Sequence, residues 1–244
     1  MNILATGCNN SFFNSCKTLL SSCYHFAPFI EKIYIFNLGL DQNQIDELKS
    51  YKNVEIKEIS QSFIELYPHV IVPKIFFWKI YILKMLTENF GNTVFYMDAG
   101  ACFVNHAQEV YDIVNRDDIL LVGDTHKNNQ FTHNKCREIM NVSEPEINGK
   151  HLWAGFQCYK SKGKYQVIID DAFEYGKIKE CIDGHISIHR HDQSIFSILS
   201  IRYNAPRQSI SKFGGWVSQT QFPDQIIYAH RNKYFDHSHL IKRV

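Results

Sequence analysis

The stretch Thr93-Val94-Phe95-Tyr96-Met97-Asp98-Ala99-Gly100-Ala101-Cys102-Phe103-Val104 decides how the chain is read. Its first part, Val94 to Met97, is short, β-branched and aromatic, with Gly91-Asn92 before it. That composition predicts a buried central strand. Asp98 then falls at the carboxyl end of the strand, and open α/β sheets bind ligands in the crevice outside those ends. A carboxylate there can hold a divalent cation, and the cation a diphosphate. Equally, an aspartate there can start a turn or cap the next segment. Gly100 lets backbone or ligand come close.

On the amino-terminal side, Ile3 to Thr6 reads as a strand ended by Gly7, and Phe12 to His25 as a helix. Lys32 to Phe36 is a second strand, Gln42 to Ser50 a helix capped by Asp41, and Val54 to Ile59 a third strand. Strand, helix, strand, helix, strand at this spacing predicts a parallel sheet with crossover helices. Pro68 to Pro73 is a break, and Lys74 to Asn89 a strongly apolar helix leading into the central strand. On the carboxyl-terminal side, Asp118 to Val122 reads as a strand, Asn134 to Met140 as a helix and Ser143 to Lys150 as a loop. Leu152 to Tyr159 is a strand, Tyr165 to Tyr175 a helix, Glu180 to Arg190 a loop and Asp192 to Leu199 a helix. Ile226 to His230 is a late strand before a basic, His-rich tail. No repeat, low-complexity tract or linker divides the chain, so one domain is expected over 1–244.

The totals narrow the classes further. A length of 244 residues with 45% hydrophobic and 21% charged residues suits one α/β domain with a sizeable core. A formal net charge of +1 gives no global attraction to nucleic acid or an anionic membrane. Seven cysteines, an odd number without C-x-x-C spacing, argue against a disulfide framework or a structural zinc site. Free thiols fit a reducing compartment. The start Met1-Asn2-Ile3-Leu4-Ala5-Thr6-Gly7 lacks the pattern of a signal peptide. No apolar stretch approaches the roughly 20 residues of a membrane span. A soluble, cytoplasmic protein is expected.

Several chemistries lack their motif. There is no G-x-x-x-x-G-K-[ST] phosphate loop, no G-x-S-x-G nucleophile elbow and no H-E-x-x-H. The turn Gly7-Cys8-Asn9-Asn10-Ser11 is not G-x-G-x-x-G. His185, His189 and His191 have spacings that can ligate zinc but lack the cysteine or carboxylate pattern of a structural site.

The βαβαβ opening, Lys74 and Trp78, Tyr96-Met97-Asp98-Ala99-Gly100, Trp153-Ala154-Gly155-Phe156, His191-Asp192-Gln193-Ser194 and Ile226-Ile227-Tyr228-Ala229-His230 follow one another in a telling order. In that order the chain resembles a GT-A-fold nucleotide-sugar glycosyltransferase over roughly Ile3 to Lys233. The resemblance implies an α/β fold with a central, mostly parallel, mixed sheet flanked by helices. It implies a nucleotide-binding half at 1–104 and an acceptor-binding half at 105–244. The implied activity is transfer of a sugar from a nucleotide-sugar donor, most simply a UDP-sugar, to a hydroxyl acceptor such as a glycan. One departure stands out: the family's D-x-D is here Asp98-Ala99-Gly100, with one carboxylate missing.

By the resemblance, Asp98 and His230 are the candidate ligands for Mn²⁺ or Mg²⁺, with His237 and His239 in reserve. Ala5, Thr6 and Gly7 match the place that holds the nucleotide, or form an ordinary strand-to-helix turn. Lys74 can reach a phosphate or lie solvated, and Trp78, one helical turn on, can be core. Gly100 marks the donor side, and Arg231 and Lys233 are candidates to neutralise a leaving diphosphate. Trp153, Gly155 and Gln193 would line the sugar and acceptor side; the alternative is a strand with a packing glycine. Asp192 is the candidate general base of an inverting displacement, or a partner for a sugar hydroxyl in a retaining one, or a helix N-cap. Two other functions stay open: a non-catalytic nucleotide- or sugar-binding module, and a sugar nucleotidyltransferase.

Overall fold

The opening βαβαβ unit forms as its pattern requires. Strands β1 (Asn2–Cys8), β2 (Lys32–Asn37) and β3 (Val54–Lys57) run parallel, connected by helices α1 (Phe13–Phe26) and α2 (Gln42–Lys49). Asp41 caps α2 with a capping box closed by Gln44. The computed structural model describes residues 1–89, 91–215 and 223–231. After α3 (Gln61–Leu66), helix α4 (Phe77–Thr87) leads into β4 (Thr93–Met97), which returns beside β1 and parallel to it.

The second half is antiparallel where it meets the first. Helix α5 (Gln108–Asp117) follows the short strand β5 (Cys102–Phe103) and leads into β6 (Ile119–Lys127). Three short helices, α6 (Asn128–Phe131), α7 (Asn134–Met140) and α8 (Glu144–Asn148), precede β7 (Lys150–Lys160), which inserts antiparallel between β4 and β6. Then come α9 (Gln166–Lys177), α10 (Lys179–Ile182), α11 (Asp192–Arg202), β8 (Arg207–Gln208), α12 (Ile210–Phe213) and β9 (Ile227–Tyr228). The main sheet reads β3-β2-β1-β4-β7-β6-β8, and β5 and β9 form a separate antiparallel pair.

Alternation along the central strands divides the core into two layers. Ile3, Ala5, Val94 and Tyr96 face one cluster, which includes residues of α4, α9 and α11. Leu4, Phe95 and Met97 face the other, with residues of α1 and α5. Both faces are therefore covered, as a largely parallel sheet demands. Among the described residues no helix is long and apolar enough to cross a membrane.

Several expected boundaries move. The helix expected from Lys74 starts only at Phe77, because residues 73–75 form a turn and Phe76 takes a left-handed conformation at the helix entrance. The segment expected as a loop from Ser143 contains α8, closed by a Ser143–Glu146 capping box. Part of the loop expected from Glu180 is α10. The late strand is confined to β9 and pairs with β5 rather than with the main sheet.

Candidate active site

Strand order reverses beside β1: β2 and β3 lie on one side of it and β4 on the other. That is the switch point at which open α/β sheets leave a crevice. Asp98 follows the last residue of β4 there, its backbone N–H donating to the Gly155 carbonyl at 2.9 Å. Tyr96 lies two residues back on the same face, and its hydroxyl donates to Asp98 Oδ1 at 2.8 Å.

Lys79 meets this carboxylate from α4. Seven consecutive residues of that helix, Phe77 to Leu83, are buried, Lys79 among them. A lysine is almost never fully buried unless paired. Here Nζ lies 3.0 Å from Asp98 Oδ1 and 3.2 Å from Asp192 Oδ2, and donates to the Ala154 carbonyl at 3.2 Å. The rings of Tyr96 and Phe76 lie 5.2 and 5.4 Å from the ammonium. Its side chain is 4% exposed and that of Asp192 5%, whereas Asp98 is 40% exposed. The cluster has a closed end at Asp192 and an open end at Asp98.

The electrostatics follow from one cation serving two carboxylates. Burial works against the Lys79 charge, but Asp192 and Asp98 outweigh it, so its pKa is raised. Burial also raises the pKa of Asp192; the attraction of Lys79 opposes this and the charge of Asp98 adds to it. The Tyr96 hydroxyl is pushed well up, by burial and then by the neighbouring Asp98 charge. A buried carboxylate with a raised pKa is suited to accepting a proton.

Backbone strain collects here. Among the described residues, Asn53, Asp118, Asn141 and Asn204 have positive φ and are of types that tolerate it, whereas His191, also of such a type, lies outside the left-handed helical region at ψ −122. The other non-glycine residues with positive φ are Phe76, Lys162, His191 and Arg231. Three of these four border the cluster: Phe76 opens α4, His191 precedes Asp192, and Arg231 donates its N–H to the Gly100 carbonyl at 3.0 Å. Strain concentrated in this way is a mark of a functional site. His191, not Asp192, is the N-cap of α11, and no side chain caps that helix, so capping is not the task of the Asp192 carboxylate.

The remaining candidates divide by position. Ala5 and Thr6 are fully buried, and Thr6 Oγ1 has no hydrogen-bond partner. A β-carbon at Gly7 would lie 2.7 Å from Leu38 Cδ1 and 2.8 Å from Trp78 Cε3, so the indole and Leu38 pack directly against this turn. Lys74 is exposed in the turn ahead of α4. Trp153 is buried, its ring lying against Gly155 and Gly214 more closely than a β-carbon would allow. Gln193 Nε2 is buried without a partner, a donor that a bound hydroxyl would satisfy. His230 stands next to Arg231, on the segment that passes Gly100. Lys233, His237 and His239 lie outside the described residues.

Sequence reasoning missed Lys79, although a lone lysine inside the apolar run Phe76-Phe77-Trp78-Lys79-Ile80-Tyr81 was a visible signal. It also missed Arg190, whose guanidinium stacks 3.6 Å from the Phe131 ring centroid and lies 3.4 Å from Asp124 Oδ2. The histidines considered for zinc instead make local hydrogen bonds: His189 and His191 both bond the Ile182 carbonyl, at 3.1 and 3.0 Å, and His185 Nδ1 bonds the Ser187 hydroxyl at 2.7 Å.

The donor set fits a divalent cation poorly. Asp98 Oδ1 is already held by Lys79 and Tyr96, and position 100 carries no side chain. Among the described residues, no group of three or more His, Cys, Asp or Glu side chains is placed to share a metal ion.

No family model matches the sequence, and no curated protein matches it. Solved structures do match. An active-site mutant of LgtC aligns with a TM-score of 0.56 at 12% identity, over 99% of this chain and 94% of that one. Apo mouse xyloside xylosyltransferase 1 aligns at 0.55 and 10% identity, over 94% of this chain and 97% of that one. The bifunctional glycosyltransferase WbbM aligns at 0.54 and 10% identity over 86% of this chain, which spans only 39% of that protein. At such identities the likeness is one of architecture: the chain has the GT-A fold of these glycosyltransferases.

Proposed function

We propose that the chain is a glycosyltransferase that moves a sugar from a nucleotide-sugar donor to a hydroxyl acceptor, with a UDP-sugar as the donor and a glycan as the acceptor. The observation that carries this reading is the Lys79 ammonium joining Asp98 to Asp192 at the switch point of the sheet. The fold match supports it, and one matched structure is the galactosyltransferase LgtC in complex with donor and acceptor sugar analogues.

In this reading residues 1–104 hold the nucleotide and the rest of the chain presents the acceptor. The donor diphosphate lies against the open, Asp98 end of the cluster. Asp192 faces the reacting sugar, and Lys79 fixes the direction of its carboxylate. Gln193, one residue on, offers its unpartnered amide to a sugar hydroxyl.

The test is acceptor-dependent release of UDP from a panel of UDP-sugars, with the glycosylated product identified by mass. Wild-type protein releases UDP, while Asp98→Asn and Asp192→Asn lose turnover and keep their circular dichroism spectrum. Tight nucleotide binding without sugar transfer to any acceptor would instead assign the chain as a binding module.

A further inference from the structure

Resting on the transferase reading, we infer that the chain binds its donor diphosphate without a divalent cation: Lys79 fills the place between Asp98 and Asp192, and Arg190 and Arg231 supply the positive charge at the phosphates. Three independent features of the site lead there.

The first is the ammonium itself. A metal ion held by Asp98 through Oδ1 would have to displace Lys79, 3.0 Å away, and one held through Oδ2 would stand beside that ammonium, like charge against like charge. Taking a charge out of water is costly unless it is paired, so either arrangement starts at a disadvantage. The second is the shape of the wall at Gly100. A β-carbon there would sit 3.2 Å from Phe12 Cε1 and 3.5 Å from Arg231 Cα. The place of a second acidic side chain is thus bounded by an aromatic edge and by the backbone of a basic residue.

The third is the pair of arginines. Arg231 crosses Gly100 through its backbone bond, within electrostatic reach of Asp98. Arg190 immediately precedes His191-Asp192 and is held by the Phe131 ring and Asp124. Burial depresses the pKa of Arg190; Asp124 opposes this, and the like charge of Arg231 deepens it. Burial likewise depresses Arg231, with Asp98 opposing. An anion beside either guanidinium would offset the like charge that the other adds. Guanidinium groups match phosphate oxygens in pairs, and positive charge at the leaving diphosphate is what sugar transfer requires.

The experiment is isothermal titration of UDP, GDP, CDP and TDP into the full chain, in EDTA and again with Mn²⁺. Alongside it, paramagnetic resonance of Mn²⁺ counts the bound ion. The expected result is one preferred nucleoside diphosphate whose Kd in EDTA and in Mn²⁺ agrees within about twofold, with no stoichiometric Mn²⁺ bound. In EDTA, Arg190→Gln and Arg231→Gln each weaken it by roughly tenfold, the effect of losing one charge-assisted hydrogen bond. The matching monophosphate is weakened less. Binding that Mn²⁺ tightens tenfold or more overturns the metal-free site while leaving the transferase reading in place. Wild-type affinity in both arginine variants overturns the assignment of the phosphate cations. If no nucleoside diphosphate binds in either buffer, the inference and the transferase reading fall together.

Discussion

Replacing Lys79 by methionine tests the centre of the site. The substitution keeps an unbranched apolar stem and removes only the ammonium. At separations of 3.0 and 3.2 Å, and with an effective dielectric constant of about 20, each carboxylate attracts that ammonium by roughly 5 kcal/mol before desolvation. The Asp98 share is discounted because its side chain is 40% exposed and water takes over much of the partnership. Asp192, 5% exposed, has no such refuge. In Lys79→Met it is left buried, unpaired and near a second carboxylate. Breaking a buried pair from one side costs about 3–5 kcal/mol, or roughly 6–20 °C in Tm for a domain of this size. The assay is urea denaturation followed by circular dichroism, on Lys79→Met and on Lys79→Met/Asp192→Asn. The double variant removes the orphaned charge and recovers at least half of the loss. A single variant within about 1 kcal/mol of wild type, or a double variant no better than the single one, would falsify the ion-pair account.

Two further outcomes follow from burial. Burial lowers the pKa of both His151 and His189 to about 3, helped by the Arg190 charge at His151 and by His133 and His191 at His189. The unfolded chain takes up these protons near pH 6.5, so their contribution to stability is complete above that pH and is lost as pH falls towards 3. Between pH 7 and 5 each histidine costs about 2 kcal/mol, and urea melts at the two pH values should differ by about 4 kcal/mol; a flat profile contradicts the neutral, buried state of the two rings. Gly7→Ala should lose about 1–3 kcal/mol through overpacking against Trp78 and Leu38, read as a fall in Tm, whereas an unchanged Tm would mean that the indole yields freely.

The elements that could be read from the sequence are those whose pattern is local. The periodicity of β1, α1, β2, α2 and β3 lies within short windows, and so does the apolar run that stops at Asp98. The insertion of β7 antiparallel between β4 and β6 is set by pairings such as Phe95 with Cys158, which no local window contains. Strands β5 and β9 are two residues each and exist only because Cys102 and Phe103 meet Tyr228 and Ile227. The site was half legible for the same reason. Asp98 and Asp192 announce themselves at the end of a strand and the start of a helix. Lys79 looked like one polar residue in an apolar helix, and its meaning appears only when β4 and α11 bring two carboxylates to it. The helix expected from Lys74 begins after it, since the left-handed Phe76 delays the first turn, and Lys74 stays exposed ahead of the helix while Lys79 is buried within it.

That conformation has a consequence for how the protein ages. Phe76, His191 and Arg231 are each held in a geometry costing of order 1–3 kcal/mol, and they stand where the three segments of the site begin or cross. Only the surrounding packing keeps them there. Local opening of these segments on warming is expected to precede loss of the seven-stranded sheet. The arrangement around Lys79 is therefore expected to be lost before the fold, in a sample whose secondary structure still looks native.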